Sequence, residues 1–431
     1  MLKTLAISIA LCGSLAASVR ADNQAVERLI VLDEGTWQAD NGRLSYYEDG
    51  QVISNSWFRD VNGYKLGDTP EDIIQVRDNL IAISVNWSNI IQFIDEQGKA
   101  VAATEDIPNN RKMATDGEYV YVTSYGHECG TVDGTVSFSK GFVAKIDATT
   151  FKVVKAVEVG YEPEGIALYK GKLFVANSGG YAFQEDHDYD HTVSVIDAAT
   201  MNAERTVDVE HINLYGDLSQ SGQFLCINSA GDYYEKMPAT IILDCDKVLA
   251  GEPDTDCFTA LDYSATVNCT NAEENFFAVG SSYSYLTNTY EFNYLTLNPR
   301  EIMGYEEGEG VYDSMPGDLK AKLQEMQQPY GLYVNPYTKE IYATDAGSYT
   351  GAGSLLSFTP DGSYTGSYKV YINPGHFLAL KPANWNGVQG VETETSEADA
   401  DAPVYNLQGI RVSNPRKGEI YIRAGRKMIW R

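Results

Sequence analysis

Several residue types are scarce in this chain. Its 431 residues include five histidines and six cysteines, and 32 Lys and Arg stand against 60 Asp and Glu, a formal charge of -28. A protein so short of cations has no basic patch with which to neutralise phosphates, which excludes nucleic acid as a partner. No CxxC spacing occurs, so a zinc site is not expected. Gly-x-Ser-x-Gly is missing too, and with so little histidine a Ser-His-Asp hydrolase has no support. Beyond the N-terminus no apolar run is long enough to span a bilayer.

The two ends of the chain read differently from its middle. Lys3 precedes a short apolar run, Leu5 to Leu11, and a small-residue stretch that ends Val19-Arg20-Ala21. This is the pattern of a secretory signal peptide, with cleavage expected after Ala21. Cys12 follows Leu11, too bulky a residue for the usual lipid-attachment motif, so lipidation there is not expected. Removing 1–21 leaves Cys129, Cys226, Cys245, Cys257 and Cys269, an odd number. Cys245 and Cys257 are expected as buried thiols rather than as a disulfide. Residues 383–403 are acidic and small where they run from Glu392 to Asp401, and read as a linker. Residues 404–431 return to strand patterning with a basic end, a separate small β module.

What the sequence has in plenty is Gly, 38 residues, and Tyr, 30 residues, spread among short alternating segments. Pro163-Glu-Gly-Ile-Ala-Leu-Tyr, Lys172-Leu-Phe-Val-Ala-Asn, His191-Thr-Val-Ser-Val-Ile-Asp and Ala203-Glu-Arg-Thr-Val-Asp-Val are four strands in succession. Gly, Asp and Asn fill the turns between them. Four short strands recurring about every 45 residues make one propeller blade. Further copies begin at Pro70, Asn110, Leu214, Ala265 and Pro329. Before them, Leu29–Leu32, Gly42–Tyr47 and Gln51–Ser54 supply only three strands, and Gly375–Leu380 supplies the missing first one. The expected fold is all-β: a seven-bladed β-propeller over residues 28–382, closed by a C-terminal strand that removes its open edges. A helical stretch, Asp318–Gln327, is expected as a surface insertion.

In such a blade the loops between strands two and three share a face with the links that lead into strand one. Those loops are the long ones here, and they carry Tyr, Trp, Ser, Gly and Asn, while the other face has short, plain loops such as Tyr169-Lys-Gly. Rigid aromatic area beside adaptable hydrogen-bonding groups is the composition of a recognition surface. The candidate ligand-binding residues are therefore Trp37, Trp87, Arg111, Tyr125, Tyr181, Tyr233, Tyr283, Tyr330 and Tyr349, with no catalytic and no metal-ligating residue assigned. Arg111, at the start of a first strand, is placed either to grip an anionic ligand group or to form an ion pair within its blade. Glu185-Asp-His-Asp-Tyr-Asp-His lacks the central glycine of a calcium loop and reads as a solvated acidic loop.

Asp33-Glu-Gly-Thr-Trp, Gly42-Arg-Leu-Ser-Tyr-Tyr, Asn62-Gly-Tyr-Lys-Leu-Gly-Asp and Ser88-Asn-Ile-Ile resemble the opening of the surface-layer-like seven-bladed propellers of Bacteroidetes. Leu173-Phe-Val-Ala-Asn and Val193-Ser-Val-Ile-Asp resemble YVTN-type repeats. The resemblance spans Arg28 to Leu380. It implies a cell-surface protein, and among such propellers are those that bind vitamin B12 on a TonB-dependent outer-membrane transporter. A corrinoid ligand and such a transporter as partner are what it implies here, with no resident cofactor. The segment from Tyr405-Asn-Leu-Gln-Gly-Ile-Arg-Val to Arg426-Lys-Met-Ile resembles the sorting domains of type IX secretion. The expected protein is exported and monomeric. Its alternatives are a protein- or glycan-binding adhesion propeller and, less favoured, a propeller lyase or lactonase.

Overall fold

A computed structural model describes residues 27–127, 140–182, 187–284 and 289–382, together with 404–405, 417, 420–423 and 426–429. Over 281–291 it describes no side chains. The segments expected as signal peptide and linker, and Cys129, lie outside the described residues.

Seven four-stranded antiparallel sheets form the propeller. Their innermost strands are Pro374–Leu380, Pro70–Arg77, Asn110–Thr115, Pro163–Tyr169, Leu218–Ser221, Val267–Thr270 and Pro329–Val334, in blades 1 to 7. Each innermost strand touches the next, all the way round. The middle strands are buried along their whole length, as Leu80–Val85 and Phe224–Ser229 are. Their near-continuous apolar sequence follows from that, since a neighbouring blade covers each of their faces. The outermost strands are the reverse: Lys152–Glu158 is exposed at all but one position.

The core is accordingly not one mass. Buried apolar side chains gather in seven clusters, one at each junction between adjacent blades. Phe174 and Val195 of blade 4 meet Leu225 and Ile241 of blade 5. Tyr342 and Leu355 of blade 7 meet Val31 and Tyr47 of blade 1, and this junction closes the ring. Within blade 1, Pro374–Leu380 pairs antiparallel with Arg28–Asp33, Leu380 opposite Arg28 and Leu378 opposite Ile30. The ladder shifts register at Asp33. There the fully buried carboxyl accepts the Ser45 hydroxyl at 2.7 Å and the Tyr371 N–H at 3.1 Å. Burial pushes it up to about 8, against the pull of those hydrogen bonds and of Arg43.

Four details differ from the sequence expectation, one being that the innermost strand of blade 6 begins at Val267 rather than Ala265. The innermost strand of blade 5 begins at Leu218 rather than Leu214, because Asn213 and Gly216 at φ 60° and 95° turn the chain first. The helix Leu319–Glu325 is less an insertion than part of the core, since it buries Leu319 and Leu323 in the junction of blades 6 and 7. The face expected to be plain carries short helices in two blades, Cys245–Ala250 and Pro299–Ile302, capped by the Asp244 and Asn298 side chains. Where the turns are short, as at Tyr169-Lys-Gly, Lys170 and Gly171 both take positive φ, the geometry a two-residue hairpin requires. The C-terminal strands Val404–Tyr405, Ile420–Arg423 and Arg426–Ile429 form a separate three-stranded sheet.

Candidate ligand-binding site

The central channel is built by the first residues of the innermost strands. Pro70, Asn110 and Pro163 start three consecutive strands, and the next residue of each is charged: Glu71, Arg111 and Glu164. Arg111 Nη1 lies 2.7 Å from Glu71 Oε1 and its Nε 3.2 Å from Glu164 Oε2. The Tyr125 hydroxyl donates to Glu164, and the Tyr125 ring faces the guanidinium with its centroid 5.2 Å away. Burial works against the Arg111 charge, but Glu164 and Glu71 outweigh it and hold the group protonated. Arg111 therefore forms an ion pair, as one of its two expected roles required, but across three blades rather than within one.

One residue deeper, Lys112 Nζ lies 2.9 Å from Asp217 Oδ1 and 2.9 Å from the Glu71 carbonyl, with His376 Nε2 at 3.2 Å. Burial opposes ionisation of Asp217, but Lys112 and His376 prevail and hold its carboxyl below the usual range. Glu34 reaches in above Gly375, where a Cβ would come within 2.4 Å of its Oε1. Its other oxygen accepts the Tyr330 hydroxyl at 2.5 Å. This charged layer separates two cavities. One, of about 480 Å³, opens on the loop-rich face. The other, of about 370 Å³, lies beyond Lys112 and His376.

Six of the expected residues line the upper cavity: Trp37, Trp87, Arg111, Tyr125, Tyr181 and Tyr233. The Trp37 and Trp87 rings meet edge-on with centroids 5.2 Å apart, and Tyr125 meets Tyr181 in the same way at 5.6 Å. Trp37 is 61% and Tyr233 56% exposed, so the rim presents bare aromatic surface. Tyr330 and Tyr349 do not line this cavity. They pack edge-on at 5.9 Å over blade 7, with Tyr330 held by Glu34. The side chain of Tyr283 lies outside the described residues.

Sequence reasoning missed Glu71, Tyr189, Tyr215, Asn86, Asn109 and Asn213, which complete the wall. Glu71 had a visible signal, for it follows a strand-initial residue as Arg111 and Glu164 do. The asparagines had a weaker one. Asn109 and Asn213 take φ 48° and 60°, a conformation Asn tolerates better than most side chains. Asn86 Nδ2 donates to Asn109 Oδ1 at 2.7 Å, and Asn213 Nδ2 to the Gly231 carbonyl at 3.0 Å. That leaves Asn109 Nδ2, a donor, and Asn213 Oδ1, an acceptor, buried without a partner among the described residues. Unpaired buried amide atoms are costly and rare in folded proteins.

The loop expected to be solvated is pinned instead. His187 turns inward, its Nε2 2.7 Å from Glu162 Oε2 and its ring stacked on Tyr161. Asp190 accepts from the backbone N–H groups of His191 and Thr192. Glu185 and Asp186 lie outside the described residues. Among the described residues, no group of three His, Cys, Asp or Glu is arranged to hold a metal ion. Cys226, Cys245, Cys257 and Cys269 are buried free thiols.

No protein-family model matches the chain, and no curated protein matches it in sequence. Solved structures match its fold. Hydrazine synthase of Kuenenia stuttgartiensis is 12% identical with a TM-score of 0.51, over 73% of this chain and 96% of that one. A protein of unknown function from Desulfotomaculum acetoxidans is 13% identical with a TM-score of 0.49, over 83% and 99%. Apo AztD from Citrobacter koseri is 11% identical with a TM-score of 0.44, over 84% and 99%. At such identities the likeness is one of fold alone.

Proposed function

We propose that this propeller is an exported surface protein that captures a ligand at the mouth of its loop-rich face, and that the ligand is a corrinoid. The observation that carries the reading is a cavity of about 480 Å³ on the loop-rich face ringed by Trp37, Trp87, Tyr125, Tyr181, Tyr215 and Tyr233. Flat aromatic walls suit a broad planar body. Corrinoids combine a macrocycle with amide-bearing side arms. A cavity of about 480 Å³ takes only part of one, which leaves the remainder to lie on the exposed Trp37 and Tyr233 rings. Among the described residues the lining includes no Ser, Cys or His, and its guanidinium, that of Arg111, is held by two carboxyls, which favours binding over catalysis.

The rest of the reading leans on the resemblance: a signal peptide for export, a C-terminal module for sorting, and a TonB-dependent transporter to receive the ligand. Protein capture is a second reading. Tyr234 and Met237, in the same loop as Tyr233, are 79% and 66% exposed and do not line the cavity.

Calorimetric titration of the purified chain with cyanocobalamin tests the first reading. One-site binding at micromolar or tighter affinity is expected, and no heat at micromolar protein rejects the corrinoid. Pull-down from outer-membrane extract tests the second: a transporter as main partner supports capture for uptake, and a host or matrix protein supports adhesion.

A further inference from the structure

We propose that the mouth selects its ligand by positive charge: it takes an organic cation, or the cationic part of a larger ligand, and rejects anions. The inference rests on the reading of the mouth as a ligand site and adds a chemical class to it.

Three features converge. The first is the charge of the floor. Arg111 is the one cation lining the cavity among the described residues, and Glu71 and Glu164 hold its Nη1 and Nε. Glu34 adds a third carboxyl at the channel, bonded to Tyr330. Lys112 and His376, one residue deeper, are engaged by Asp217 and Glu34, so an anion arriving here meets no unengaged cation among the described residues, whereas a cation meets the carboxyls of Glu71, Glu164 and Glu34.

The second feature is the wall. Trp37, Trp87, Tyr125, Tyr181, Tyr215 and Tyr233 line the cavity, and the faces of such rings carry negative potential that attracts ammonium and guanidinium groups. The third is the whole chain, whose formal charge of -28 concentrates cations around its surface.

The test uses the full chain at low ionic strength and three probes of the same branched shape: choline, the neutral 3,3-dimethylbutan-1-ol and the anionic 3,3-dimethylbutanoate. Titration is followed by calorimetry. Choline is expected to bind at least about tenfold more tightly than the alcohol, with the carboxylate weakest. Its affinity falls as salt is added. Trp37→Ala, at a largely exposed ring, is expected to weaken choline about tenfold. Glu71→Gln is expected to reduce the preference for choline over the alcohol. Equal affinity for choline and the alcohol, tighter binding of the carboxylate, or no choline binding overturns the proposal. Cyanocobalamin, neutral overall, separates the two readings. If it binds while choline shows no advantage, capture stands and charge selection falls. If choline binds and cyanocobalamin does not, charge selection stands and the corrinoid falls.

Discussion

At the scale of single residues, Asp33 sits at the seam of the ring with no exposed surface. Its ordinary carboxyl value of 3.8 is pushed up to about 8 by burial. In the unfolded chain the group loses its proton near pH 4, and in the folded chain it keeps it to about 8. Its contribution is thus complete below about pH 4 and is lost as pH rises through 8, at up to about 1.4 kcal/mol per pH unit. Asp33→Asn keeps an acceptor for the Tyr371 N–H and removes the titration. Urea unfolding from about pH 5 to about pH 9 is expected to show the variant gaining at least about 2 kcal/mol on the parent. A difference that stays flat with pH contradicts the assignment. Individual residues were also where the sequence was least legible. Arg111 could be placed at the channel, but not its partners. Glu71 and Glu164 come from the blades on either side, 40 and 53 residues away in sequence, and only the closed ring brings them together.

At the scale of elements, the strands were legible and some connections were not. Pro163–Tyr169 and Lys172–Asn177 have the bounds their alternation indicated, because burial between blades leaves a strong apolar signature. The helices Cys245–Ala250 and Pro299–Ile302 went unseen, being too short for a helical period to register. The element that matters most is the closing strand Pro374–Leu380. Ala379 donates its N–H to Tyr333 Oη, away from Arg28–Asp33, so by the alternation of the ladder the Leu378 N–H points toward Ile30. Leu378→Pro removes that donor from a strand paired in the closure. The acceptor left unpaired is expected to cost about 1–3 kcal/mol, read as a fall in the denaturation midpoint. A midpoint within error of the parent means that the ring does not depend on this strand for closure.

At the scale of the whole molecule, a repeat of four strands and one strand left over at the C-terminal end were enough to give a seven-bladed ring. The unequal faces were legible as well, because loop length and composition can be read directly from the sequence. The interior of the mouth was not. It takes Trp37 from blade 1, Trp87 from blade 2, Tyr125 from blade 3, Tyr181 from blade 4 and Tyr233 from blade 5, and their convergence is a property of the ring and of no single blade. The two unpaired amide atoms on Asn109 and Asn213 come from separate blades in the same way. The measurement that bears most directly on the account is therefore a paired calorimetric titration with cyanocobalamin. It compares the parent chain, a Trp37→Ala/Tyr233→Ala variant at the mouth, and Tyr364→Ala at an exposed outer strand as control. The account predicts that the parent and the control bind alike, and that the mouth variant loses at least about thirtyfold in affinity. Undiminished binding by the mouth variant, or no binding by the parent, contradicts it.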